Sequence, residues 1–136
     1  MSTAPSRIFL SRIVGQSVYD PVGDKVGKLR DVVLAARASS QGPRVLGLVV
    51  EVLGRRRVFV PITRATSMNS GSIIITGVLN LRRFEKRRSE VLVIHDLLDR
   101  EVTLADGTKA TLYDAAIEQQ ARRDWFLTTT AVAEIS

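Results

Sequence analysis

His95, the only histidine of the chain, is followed directly by Asp96. An imidazole beside a carboxylate could act as a general base that the carboxylate orients. The apolar run at residues 91–94 predicts a strand, however, and neighbouring side chains of a strand point to opposite faces. We therefore expect no paired histidine and aspartate here, and the sequence predicts that the protein is not an enzyme.

Two pairs of aspartates could supply oxygen ligands to a metal ion. A Mg²⁺ site needs several such ligands that converge. Asp20 and Asp24 flank a turn that contains Pro and Gly, and Asp96 and Asp99 lie where a turn or helix would begin. We expect all four to cap backbone groups, with a metal site as the alternative. We also expect no cofactor, since the sequence holds neither a Gly-x-Gly-x-x-Gly nor a Walker-type loop.

Cationic side chains form two clusters that could bind a partner. The chain carries 20 Lys and Arg against 14 Asp and Glu, a net charge of +6. The candidate partner-binding residues are Arg55, Arg56 and Arg57, at a predicted hairpin tip, and Arg82, Arg83, Lys86, Arg87 and Arg88. Such clusters suit phosphates or an acidic protein, and they also occur as solvated loops. A reader of single-stranded nucleic acid should add exposed aromatic rings, and only Phe84 lies among these charges.

The elements that position these clusters are predicted to be strands. The chain is 45% apolar but only 5% aromatic, so its core must be built mostly from Val, Leu and Ile, two of which favour strands. In the strongest strand, residues 44–53, Leu46, Leu48, Val50 and Val52 share one face by the two-residue period. Five or six short strands separated by turns indicate a small β-sandwich or barrel.

An internal repeat divides the chain. Residues 13–34 return as residues 97–117 with a slip of one residue, each copy carrying a Gly turn and then Leu-x-Asp. The repeat favours a strand at residues 112–117, although the composition of residues 112–123 also suits a helix. We expect a tail at 1–7, a barrel at 8–78, a charged linker at 79–90 and a second, partial repeat at 91–136.

The second repeat is too short to close a barrel by itself. It has no counterparts of the first repeat's strands at residues 58–61 and 73–75. A half-barrel would expose strand edges and an apolar face. We therefore expect it to pack on the first barrel or on the same half of a second chain in a homodimer. Trp125 and Phe126 are the predicted anchors of either contact.

The motifs of the first repeat resemble those of the PRC-barrel family. The similarity covers roughly residues 10–78 and rests on the segments at 18–33, 45–50 and 58–61. This family includes the H subunit of the photosynthetic reaction centre and the RimM-type ribosome maturation factors. The resemblance implies a mainly β protein: a small PRC-type barrel of about six strands, followed here by a second, incomplete barrel-like repeat.

A narrower resemblance spans almost the whole chain. The segments at 80–87 and 92–100 are similar to actinobacterial cytoplasmic proteins in which such a region precedes MgtE-type and CBS domains. This resemblance implies a cytoplasmic location and a link to magnesium-transporter-like regulation through segments that this chain lacks. It provides no catalytic residues.

Together these features predict a non-enzymatic β-barrel module of a larger cytoplasmic protein that interacts with or regulates a protein partner. The alternative is an RNA- or ribosome-associated barrel of the RimM type. The sequence contains no apolar run of membrane-spanning length. It also contains no cysteine, so disulfides and thiolate metal sites are excluded and a reducing compartment is compatible.

Overall fold

The computed structural model describes residues 7–39, 42–69, 71–76, 85–87, 89–121 and 124–134. These residues form eleven strands in one sheet. The strands are β1 (Arg7–Phe9), β2 (Ser17–Tyr19), β3 (Lys25–Ser39), β4 (Gly42–Val52), β5 (Arg56–Pro61), β6 (Ala65–Asn69), β7 (Ser72–Ile75), β8 (Glu90–Leu92), β9 (Glu101–Thr103), β10 (Lys109–Ala121) and β11 (Asp124–Glu134). Short 3₁₀ turns lie at Leu10–Arg12, Leu53–Arg55 and Ile62–Arg64, and a π-helical turn lies at Val93–Leu97.

Strands β1 to β7 belong to the first unit, and β2 to β7 form its own part of the sheet. Their order across the sheet is β5-β4-β3-β2-β7-β6, with β2 and β7 parallel and the other pairs antiparallel. The sheet curls into a nearly closed barrel, which confirms the prediction of a mainly β fold with a barrel of about six strands. Its core is aliphatic, and Val18, Leu29, Leu48 and Ile73 have no exposed surface.

The predicted face of β4 is wrong at its first residue. Leu48 and Val50 are fully buried in the main core, as expected, and Val52 packs against its margin. Leu46 instead packs in a separate apolar cluster on the other side of the sheet. The reason is a β-bulge: Val45 and Gly47 pair with consecutive residues of β3, so Leu46 is an extra residue and the two-residue period changes phase.

The second unit repeats the first four strands. Strands β8, β9, β10 and β11 correspond to β1, β2, β3 and β4, and the ambiguous residues 112–117 lie within the long strand β10. The correspondence extends to the irregularities of the sheet. Arg30 of β3 and Tyr113 of β10 are equivalent bulge residues, each between a Leu and an Asp. Leu46 of β4 and Thr128 of β11 are likewise the extra residues of equivalent bulges.

The one-residue slip of the repeat has a structural cause. In the first unit the turn after β1 closes with Val14 N–H on Leu10 O, whereas in the second the π-helical turn closes with Leu98 N–H on Val93 O and contains one residue more. The first unit has its own additional residue later in the chain, at a bulge in β3 where Val26 is left out of the pairing with β2. Each unit thus has one insertion, and the sheet registers remain equivalent.

The two units exchange their first strands. Strand β1 of the first unit pairs with β10 of the second, and β8 of the second pairs with β3 of the first. Strands β4 and β11 meet where Arg44 pairs with Phe126, again at equivalent positions. Each contact maps onto its counterpart when the units are exchanged, which is the property of a two-fold, isologous interface. Of the two arrangements expected for the second repeat, the chain therefore has the one in which it packs on the first barrel.

Candidate binding surfaces

The predicted tip at residues 55–57 lies at one end of the first barrel. The 3₁₀ turn Leu53–Arg55 connects β4 to β5, and Arg55, Arg56 and Arg57 are all exposed. Gly54 and Arg55 have positive φ angles of 79° and 60°. Such a conformation is uncommon for a residue other than glycine, and Arg55 is held in it by the tight turn. Leu53 is 98% exposed at this turn.

More cations surround the tip. Because the start of β3 pairs with the end of β4, Lys25 and Lys28 lie beside it, and both are exposed. A shallow cleft of about 510 Å³ runs between these strands, and Leu53 and Arg30 are among its lining residues. We call the surface formed by Lys25, Lys28, Arg30, Leu53, Arg55, Arg56 and Arg57 the cationic end.

One carboxylate moderates the charge of the cationic end. Glu51 forms an ion pair with Arg30 at 3.1 Å and a looser one with Arg57 at 3.8 Å. Arg55 and Arg56 form no ion pair with any described residue. The Nε group of Arg30 is buried and has no hydrogen-bond partner among the described residues. The cationic end therefore keeps an excess of positive charge around the exposed Leu53.

The second predicted cluster is only partly described. Arg82, Arg83 and Arg88 lie outside the described residues. Lys86 forms an ion pair with Asp96 at 3.0 Å. Arg87 is exposed, and its backbone N–H donates to the carboxylate of Glu90. Lys86 thus stabilises the π-helical turn of the second unit through Asp96, and it does not belong to the same surface as the arginines of residues 55–57.

The expectation that His95 and Asp96 cannot meet is wrong. His95 Nδ1 lies 2.9 Å from Asp96 Oδ1, because Val93–Leu97 is a helical turn rather than a continuation of the strand. The side chain of His95 is 74% exposed. Asp96 accepts a hydrogen bond from the backbone N–H of Leu92, and this bond, with His95 and Lys86, holds the pKa of the carboxyl well below its usual range. Its position is that of a turn-capping carboxylate.

Of the other three aspartates of the predicted pairs, Asp20 caps backbone groups with its carboxylate, whereas the carboxylates of Asp24 and Asp99 make no hydrogen bond to a described residue. Asp20 accepts hydrogen bonds from the N–H groups of Val22 and Asp24 across the first hairpin turn. Asp99 has a positive φ of 64° and donates its N–H to the carbonyl of Leu112. Among the described residues, no three His, Asp or Glu side chains are grouped to hold a metal ion.

Asp31 is the buried polar residue that sequence reasoning missed. It is 3% exposed and accepts hydrogen bonds from the N–H groups of Val32, Ile94 and His95, at 2.7–3.0 Å. Burial raises the pKa of its carboxyl, and these three hydrogen bonds oppose the rise. Two of the three donors belong to the second unit, so this carboxylate joins the units.

Asp114 is the counterpart of Asp31. It accepts hydrogen bonds from the N–H and hydroxyl groups of Ser11, at 3.2 and 2.5 Å, and from the N–H of Ala115. Ser11 belongs to the first unit, so the contact is the reciprocal of the one made by Asp31. The Leu-x-Asp motif in both repeats was the sequence signal for this junction.

Trp125 and Phe126 lie between the two units. They are 5% and 7% exposed, and Trp125 belongs to the same apolar core as Leu48 of the first barrel. Phe126 occupies the point where β11 meets β4, next to an ion pair of 2.7 Å between Arg44 and Asp124. Both aromatic residues are thus used within one chain as contacts between the repeats.

Comparison with known proteins identifies both units separately. A model of the PRC-barrel domain matches residues 5–79, and a model described as Actinomycetes SH3 domain matches residues 91–136. Neither match involves an MgtE-type or CBS domain. No curated protein matches the chain significantly. Within the described residues, no helix has the length and apolar character needed to cross a bilayer. Because the first match covers more than half of the 136 residues, the chain belongs to the PRC-barrel family.

Proposed function

We propose that the protein is a non-enzymatic interaction module of a larger cytoplasmic protein, and that its cationic end binds an acidic segment of a partner protein. The observation that carries this proposal is Leu53, a large apolar side chain exposed over 98% of its surface among cations. Leucine at the tip of a turn contributes nothing to the core. It is suited to become buried when a partner covers it.

The two kinds of side chain at the cationic end would have different roles. The cations would attract an acidic partner over several ångströms and orient it, and this attraction would mainly increase the rate of association. Leu53 would anchor the bound partner in an apolar contact from which water is excluded. Val22, 82% exposed in the neighbouring hairpin turn, is a second apolar side chain at the same end of the barrel.

RNA or a ribosomal site is the second candidate partner, favoured by the positive charge of the same surface. Phosphates would bind the arginines, but single-stranded bases also need aromatic rings on which to stack. The cleft at the cationic end is lined by Lys, Arg, Glu, Gly, Val and Leu and by no aromatic residue. We therefore favour the acidic protein segment.

A role in magnesium-transporter-like regulation is a further part of the proposal. It rests on the similarity of residues 80–87 and 92–100 to actinobacterial proteins of that kind. Since the described residues contain no grouped metal ligands, the module would act in such regulation as a docking element rather than as the magnesium sensor.

The proposal is tested with a fluorescent peptide rich in Asp and Glu that contains one central Leu, and with a single-stranded RNA of matched charge. Replacing Arg55, Arg56 and Arg57 together by Ser should weaken peptide binding by about tenfold or more in fluorescence anisotropy. The matched control replaces Arg7, Arg12 and Arg100, three exposed arginines outside both predicted clusters, and removes the same charge. It should weaken binding far less.

Leu53→Ser separates the two candidate partners. It should weaken binding of the acidic peptide severalfold and leave RNA binding unchanged, because phosphates do not use an apolar anchor. Tighter binding of the RNA than of the peptide, or equal peptide binding by wild type and Leu53→Ser, would exclude the proposed partner.

A further inference from the structure

The two units differ at one edge of the sheet. In the first unit, β5 covers the outer edge of β4 and pairs antiparallel with it from Gly47–Pro61 to Val52–Arg56. The equivalent edge of the second unit is residues 129–134 of β11. Among the described residues, β11 pairs along this stretch with β10 alone. Its outward N–H and C=O groups form an open strand edge of the kind that recruits another strand.

The side chains beside this edge also lack their cover. Val50 of the first unit has no exposed surface, whereas its counterpart Val132 is only half-buried. In the first unit the cover comes from Val58 and Val60 of β5, which lie opposite Val50 and Leu48 and are at most 1% exposed. Among the described residues, the second unit thus has no strand in the place of β5, whose apolar residues lie at alternate positions.

We propose that the outer edge of β11 binds an extended segment of a partner protein as an added antiparallel strand, in the place that β5 takes on β4. The internal repeat supplies the register and the chemistry that the segment needs. Main-chain hydrogen bonds would provide affinity, and alternate side chains would provide specificity, as in other cases of strand addition.

The inner face of the edge selects large apolar residues. The counterparts of Val50 and Leu48 are Val132 and Thr130, so one leucine of the first unit is replaced by a smaller threonine. A partner strand must fill at least the volume that Val58 and Val60 fill in the first unit. The segment should thus carry two β-branched or larger apolar residues separated by one position.

The outer face of the edge selects a small residue between them. In the first unit Phe59 lies over Gly47, with its ring 2.6 Å from where a Cβ of residue 47 would be. The counterpart of Gly47 is Thr129, whose side chain occupies that space. An aromatic residue is therefore excluded at the central position of the partner segment, and a residue of the size of Thr or Ala fits.

A second copy of this chain is a poor occupant of the edge. The edge of β11 carries Val132 among the smaller residues Thr129, Thr130, Ala131 and Ala133. Pairing β11 with itself would therefore oppose mostly small side chains and leave part of the inner volume empty. The two-fold surface that a dimer of such units would use is already occupied within the chain by the exchange of β1 and β8. A partner of different sequence satisfies the edge better.

The test uses a synthetic peptide of residues 55–62 of this chain carrying Phe59→Thr, with the unmodified peptide as its control. In titrations followed by backbone amide NMR, the modified peptide should shift the signals of residues 129–134 saturably and protect them from hydrogen exchange. It should bind about tenfold more tightly than the unmodified peptide. Equal binding, or shifts confined to other residues, would overturn the proposal.

Protein variants provide a second measurement. Val132→Lys places a charge on the inner face and should abolish peptide binding, because burying an unpaired ammonium is very costly. Ala133→Lys adds the same charge to an exposed residue of the same strand and should bind the peptide within about threefold of wild type. Protection of the β11 amides in the free protein, or a dimer in light scattering that Val132→Lys dissociates, would show that the edge is already occupied.

Discussion

Replacing Asp31 by Ala should separate the contribution of the junction from that of the first barrel. The carboxylate is 3% exposed and holds the N–H groups of Ile94 and His95, which begin the π-helical turn of the second unit. Alanine removes the acceptor and leaves these donors unpaired beside the core. Ile94 is half-buried, so water replaces the lost bond poorly there.

The magnitude follows from the number of donors left without an acceptor. An unsatisfied buried donor costs about 1–3 kcal/mol, so the N–H groups of Ile94 and His95 together give a loss of about 2–6 kcal/mol in the free energy of unfolding. Asp114→Ala is the matched control, because it removes the equivalent carboxylate of the other unit. Its partner Ser11 is exposed, so water can replace that bond and the loss should be about 1 kcal/mol or less.

Urea unfolding measures both losses, and hydrogen exchange of the Ile94 and His95 amides locates the effect. The expected result for Asp31→Ala is a lower midpoint together with faster exchange at these two amides than in Asp114→Ala. If the two variants lose the same stability within about 0.5 kcal/mol, Asp31 is not the principal polar link between the units.

The pH dependence provides an independent check. Burial raises the pKa of Asp31 above 3.8 in the folded protein, so the folded state binds this proton more tightly than the unfolded state. Stability from this group is therefore greatest below pH 3.8 and is lost as the pH rises through the raised pKa. Asp31→Asn should remove this component. The free energy of unfolding of the wild type minus that of the variant should therefore decrease as the pH rises. A difference that is flat or rises with pH would refute the reasoning.

Two further predictions concern the core and the interface. Leu48→Ala should lower the free energy of unfolding by about 2–5 kcal/mol in urea unfolding, because Leu48 is fully buried, and Leu46→Ala should cost less, because Leu46 is half-buried on the other face. Trp125 should emit at a blue-shifted wavelength in a monomer defined by light scattering, since it is buried between units of one chain. Water-like emission from that monomer would contradict the packing of the second unit.

Local sequence patterns predicted the strands well because the relevant signals are local. Strand-like runs on either side of the turn at residues 20–24 predict one hairpin, and Asp106-Gly107 between residues 102–104 and 109–111 predicts another. Both hairpins are present. The repeat correctly favoured a strand over a helix at residues 112–117. In that segment the pairing with β11 and β1 outweighs the helical propensity of Ala, Glu and Gln.

The long-range features could not be predicted from such patterns. Nothing in the residues of β1 or β8 specifies that each pairs with the other unit, because a short apolar strand fits either sheet. The apolar run at 91–94 was interpreted as a strand throughout, yet its second half turns into a helix when Asp31 accepts the N–H groups of Ile94 and His95. A contact across 63 residues of sequence thus decides the local structure.

The candidate surfaces show the same division. The tip arginines were predicted at a hairpin end and are found there. Leu53 was not singled out, because one leucine after a strand is normally its last core residue, and only the turn geometry reveals that it is exposed. Asp31 was visible as part of Leu-x-Asp, but its role required the register of both units.

Both proposed surfaces arise from one asymmetry between otherwise equivalent units. The first unit continues from β4 through a tight turn into β5, and this connection both covers the edge of β4 and projects Leu53 with its arginines. The described part of the second unit has no such connection after β11, so it has an open edge and no cationic tip. A strand added to β11 would complete the inner packing of the second unit without using Leu53 or Arg55. The cationic end and the edge of β11 can therefore bind different partners, and a substitution at one of these sites should leave binding at the other unchanged.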